Sequence, residues 1–82
     1  MINNYVFENV QGDVYRSWVL KVLNDHSSYH LTKEEIYCNL PTDERNVPYM
    51  TLSGLDRTLK RLVRTHQIKA RWVGARRYYS IN

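Results

Sequence analysis

The chain has 82 residues, 43% of them hydrophobic, which suffices for one small domain with its own core and is too apolar for a disordered tail. Cys38 is the only cysteine, so an intramolecular disulfide is excluded and a reducing, cytoplasmic setting is expected. No apolar run approaches the roughly 18 residues of a membrane span, and "MINNYVFENV" lacks the basic and apolar blocks of a secretory leader.

Net charge is +4, and its distribution is uneven. Residues 1–56 hold all eight acids beside Arg16, Lys21, Lys33 and Arg45. Residues 57–82 hold Arg57, Lys60, Arg61, Arg64, Lys69, Arg71, Arg76 and Arg77, with no acid. A polyanion is the simplest partner for such a segment.

In chain order, residues 1–12 read as an N-terminal arm, since Tyr5, Val6, Phe7 and Val10 follow no clear period; an extended segment, a short strand and a first helical turn all stay open. The domain proper is expected over 13–82. Asp13, after Gly12, suits a helix N-cap. Val14, Trp18 and Val22, beside Tyr15, Val19 and Leu23, form a wide apolar stripe to about Asp25, with Trp18 in the core. "YHL" (29–31) is a short extended piece. "TKEE" is a capping box of Thr32 and Glu35, opening a second helix that buries Ile36, Tyr37 and Leu40 before Pro41 stops it. Cys38 lies away from that face. "PTDERNVPYM" is a loop.

Thr51 opens a third helix, 52–65. Leu52, Leu55, Leu59, Leu62 and Val63 share one sector; Ser53, Arg57, Lys60, Arg61 and Arg64 share the opposite one. Gly54 weakens helix propensity, so something is expected to approach the backbone there, and a crowded helix crossing would account for it equally well. Beyond His66 the period changes to two, and residues 67–81 fold into a hairpin about Gly74-Ala75, a sequence suited to a type II′ turn. The register pairs Val73 with Arg76, Trp72 with Arg77, Arg71 with Tyr78, Ala70 with Tyr79 and Ile68 with Ile81. Ile68, Ala70, Tyr79 and Ile81 then face the core, and Lys69, Arg71 and Tyr78 face outward.

The order helix, strand, helix, helix, strand, strand is that of an α+β winged helix-turn-helix, three helices plus a C-terminal hairpin wing. "HLTKEEIYCNL" and "LSGLDRTLKRLVRTHQI" resemble the DNA-binding domain of ferric-uptake-regulator type repressors, and the final "YY" resembles the return strand of its wing. The resemblance implies the fold and a third helix that meets DNA. Two positions depart from the family: Asp56 stands where a Tyr normally precedes Arg-Thr-Leu, and Gly54 replaces a small polar residue. Nothing in these residues supplies the family's metal-binding dimerisation domain.

The expectation is a sequence-specific duplex-binding protein, a small transcriptional regulator of the kind common in phages and plasmids. Arg57 and Arg61, one turn apart, would read base edges with Ser53. Thr51, Lys60 and Arg64 would hold phosphates, and Lys69, Arg71, Arg76 and Arg77 would follow the backbone or minor groove. A homodimer would bind two half-sites, with Tyr5, Val6, Phe7, Tyr15 and Leu23 as contact candidates; the first three suit the domain's own core equally well. Two other readings stay open. One is a protein-interaction module that docks on an acidic partner. The other is RNA or non-specific nucleic-acid binding through Trp72, Tyr78 and Tyr79.

Trp72 reads as an aromatic stacked on Arg77. His26, His30, Cys38 and His66 match no metal-ligand spacing. No nucleophile, base or phosphate-cradling loop falls in a recognisable pattern, so no metal, cofactor, small-molecule substrate, membrane or catalysis is expected.

Overall fold

A computed structural model describes residues 4–82, with side chains from residue 12 onward. It is α+β, with three helices and a three-stranded antiparallel sheet. The elements are α1 (Asn4–Asp25), β1 (Leu31–Thr32), α2 (Lys33–Cys38), α3 (Leu52–Arg64), β2 (Ile68–Val73) and β3 (Arg76–Ile81), in the expected order. The sheet order is β1-β3-β2, which leaves β2 at an edge.

The first helix differs from expectation at its start. It is already formed at Asn4, so Asp13 lies mid-helix and caps nothing, and the boundary between arm and domain falls inside one element. Asp13 instead pairs with Arg16, three residues on. A helix can cross Gly12 because one glycine costs only about 1 kcal/mol of propensity, which flanking turns offset. Val19, Val22 and Leu23 enter the core, Tyr15 and Trp18 pack against it, and Val14 stays 38% exposed at the margin.

Thr32 caps α2 with both halves of the box in place. Its Oγ1 accepts from the Glu35 amide, and its own amide donates to Glu35 Oε1 at 2.9 Å. Those bonds to Thr32 hold the Glu35 carboxyl below its ordinary value. The helix ends at Cys38, earlier than expected, with Asn39 as its cap; Leu40 is nevertheless buried. The loop that follows is ordered by Asp43, whose Oδ1 accepts from the amides of Arg45 and Val47.

Thr51 caps α3 by accepting from Gly54 N at 3.0 Å. Leu55, Leu59 and Leu62 are fully buried, but Leu52 is 48% exposed. Leu52 shares their angular sector, yet it is the first residue of the helix and precedes the turn that packs on α1. At the other end His66 takes a left-handed φ of 62°, so that its amide reaches Val63 O and the Gln67 amide reaches Leu62 O. These are the two bonds of a Schellman stop.

The hairpin register is the expected one at every pair, Ile68↔Ile81 to Val73↔Arg76. Gly74 has φ +63° while Ala75 does not turn positive, as a type II′ turn requires. Gly74→Val has open space for its side chain and fails on the backbone instead. It is expected to cost about 1–2 kcal/mol, read as a lower denaturation midpoint with an unchanged urea m-value.

The core joins all layers: Val19, Val22 and Leu23 of α1, Ile36, Met50, the three α3 leucines, and Leu31, Ile68 and Tyr79 of the sheet. It fixes α3 with one side inward and its basic side outward. No helix of the described residues is long and apolar enough to cross a membrane.

Candidate nucleic-acid interface

Ser53, Arg57, Lys60, Arg61 and Arg64 all lie exposed on the outer face of α3, and Thr51 is exposed at its cap. The helical stripe of buried leucines positions this row, since whatever turns Leu55, Leu59 and Leu62 inward turns positions 53, 57, 60, 61 and 64 outward.

The row is bounded on both sides. Along one side α1 crosses α3 closely at Gly54. A Cβ there would stand 3.2 Å from Thr51 Oγ1, 3.4 Å from Tyr15 Cε2 and 3.5 Å from Met50 Cγ. Of the two readings of a mid-helix glycine it is the crowded helix crossing that is found, with the Tyr15 ring of α1 against Gly54 beside the cap and Met50. Beside this crossing a cleft of about 380 Å³ opens, lined by Arg16 from α1 and by Arg57 and Arg61 from α3, with Gly12, Tyr15, Gly54 and Thr58 completing its walls. Arg16 was not singled out by the sequence. Its Nη2 holds Asp13, and its Nη1 lies 3.5 Å from where a Cβ on Gly12 would stand.

Along the other side lies Asp56, whose carboxylate receives Lys60 Nζ at 3.1 Å and stands 3.9 Å from Lys33 Nζ. The hydrogen bond from Lys60, with the charges of Lys60, Lys33 and Arg77, holds the Asp56 carboxyl below its ordinary value. It is thus ionised at neutral pH, and part of the Lys60 charge is compensated. Beyond Asp56 a second cleft, about 610 Å³, separates α2 from the hairpin, with Arg76, Arg77 and Trp72 on the hairpin side.

The hairpin cations divide into two groups. Arg77 lies over Trp72 and Tyr79, at 5.8 Å and 5.5 Å from the ring centroids, on the helix-facing side. Its Nε is buried without a hydrogen-bond partner, so its guanidinium is held by the rings and is less free than the other arginines. Trp72, stacked as expected, still exposes 65% of its surface. Burial raises the Tyr79 hydroxyl above its ordinary pKa. Lys69 and Arg71 are exposed on the opposite face of the sheet, where strand alternation puts them. The structure therefore does not gather all ten candidate residues in one patch.

The dimer candidates also divide. Leu23 lies inside the core, 1% exposed, because the apolar stripe of α1 is centred on it and Val19; it is no edge residue. Tyr15 is half-buried, against Gly54 and 5.8 Å from the Trp18 ring. The side chains of Tyr5, Val6 and Phe7 lie outside the described residues. Among the described residues no three His, Cys, Asp or Glu gather as metal ligands.

No protein-family model matches the chain, and no curated protein matches it either.

Proposed function

We propose that the chain is a small winged-helix DNA-binding protein, a transcriptional regulator that lays α3 in the major groove of duplex DNA. The observation that carries this reading is the exposed row of Ser53, Arg57, Lys60, Arg61 and Arg64 on a helix anchored by buried leucines. Arg57 and Arg61 offer guanidinium forks to base edges. Thr51, Lys60 and Arg64 position the helix on phosphates, and the β2–β3 hairpin acts as the wing, led by Arg71 and Arg76. A second copy on a second half-site, about one helical turn away, multiplies the few contacts one domain makes.

Fluorescence anisotropy with random duplex, A·T-rich duplex and single-stranded DNA tests this. With about six phosphates contacted, duplex affinity falls roughly a thousandfold between about 50 and about 200 mM salt. A protein that ignores duplex at the lower salt is not a duplex reader, and its basic face then meets an acidic protein or RNA. The exposed Trp72 favours a second reading, stacking on unpaired bases, and preference for the single strand would establish it.

Asp56 gives a further check. Asp56→Asn releases Lys60 and Lys33 from their shared carboxylate. Duplex affinity should rise several-fold at low salt, with a salt dependence steeper by up to about one log unit per log unit of salt.

A further inference from the structure

We propose that the cleft between α1 and α3 is a phosphate site, in which Arg16 grips one phosphate group and Arg57 and Arg61 add their charge beside it while their forks stay on the base edges. Three guanidinium groups line one small cleft, and among the described residues only Asp13 forms an ion pair with any of them, on Arg16. Bringing like charges together opposes folding unless an anion or solvent compensates them, and such a cluster attracts anions. Two features make the cleft specific for a compact anion. Gly12 and Gly54 line it without side chains, which leaves its room to the guanidinium groups. The Asp13 carboxylate engages Nη2 of Arg16 and orients that side chain, leaving the Nη1 edge over Gly12. Guanidinium forks match phosphate oxygens in pairs, which a lysine cluster would not.

The phosphate is in the first place a backbone phosphodiester of duplex DNA, and in that respect the proposal rests on the duplex-binding reading. Its chemistry does not. A phosphate held there flanks the α3 row on the α1 side, opposite the hairpin, so it would fix the rotation of α3 in the groove without reading sequence.

The test compares Arg16→Gln with Lys21→Gln, which removes another α1 charge, one paired with Asp25 and outside the cleft. Each folded variant is titrated with duplex over a range of salt, on several sequences. Each is also melted in inorganic phosphate against chloride at equal ionic strength. Arg16→Gln is expected to make the salt dependence shallower by about 0.9, one phosphate contact, while leaving the ranking of sequences unchanged. It should also lose the rise in Tm that phosphate gives the parent protein, and Lys21→Gln should do neither. Arg61→Gln, on the opposite wall, repeats the melting test should Arg16→Gln fold poorly. Duplex binding whose salt dependence is changed equally by both variants, with equal phosphate stabilisation, overturns the cleft and leaves the duplex reading standing. Phosphate stabilisation that needs Arg16, in a protein that ignores duplex, supports the cleft and overturns the duplex reading.

Discussion

Replacing Arg57 and Arg61 together by alanine is expected to weaken binding to a preferred duplex roughly a thousandfold, at about 2 kcal/mol for each bidentate contact. Both side chains are exposed on α3 and neither appears in an ion pair among the described residues. The fold should therefore survive, with stability within about 0.5 kcal/mol of the parent. Anisotropy on preferred and scrambled duplexes, beside thermal melts, measures both effects. Loss confined to the preferred sequence assigns the arginines to base edges. An equal loss on every sequence assigns them to phosphates and leaves base reading to Ser53 or to the shape of the groove.

Leu59→Ala should give the largest loss of stability. The residue is fully buried at the centre of α3, among leucines that hold the helix to α1 and the sheet. Truncation removes buried methyl groups and leaves a cavity, at about 2–5 kcal/mol. A domain of this size is stable by only about 5–10 kcal/mol, so roughly a fifth of its stability or more disappears. Urea denaturation followed by circular dichroism reads the shift. Because the basic row is held outward by this anchor, duplex affinity should fall only in proportion to the folded fraction, and recover on cooling towards the temperature of maximum stability.

The hairpin was legible because three local signals agree. Its strands alternate, Gly74 supplies the positive φ of the turn, and one register puts Ile68, Ala70, Tyr79 and Ile81 on one face. The capping box at Thr32 was legible because its two bonds span only three residues. The start of α1 was not: residues 4–12 carry no helical period, and Gly12 followed by Asp13 imitates a boundary. Leu52 misled for another reason. A helical wheel gives the angle of a side chain but not whether a neighbouring element reaches that end of the helix. Arg16 could not be found from spacing at all, since its cleft joins residues some forty positions apart. The role of the basic row is a matter of chemistry on a surface, which the fold presents but does not itself name.

The place of β2 at the sheet edge has a consequence for solubility. A six-residue strand with one side unpaired in the sheet, ending in exposed Trp72 and Val73, is a template for association with another chain. Lys69 and Arg71 point outward along that edge, and two such strands brought together would set these charges against one another. On the proposed reading, the cations of the wing would thus have a second task, opposing the addition of strands to the protein's own sheet. Neutralising both would weaken binding and expose a self-adhesive edge at the same time, so that aggregation and loss of binding appear together in one variant.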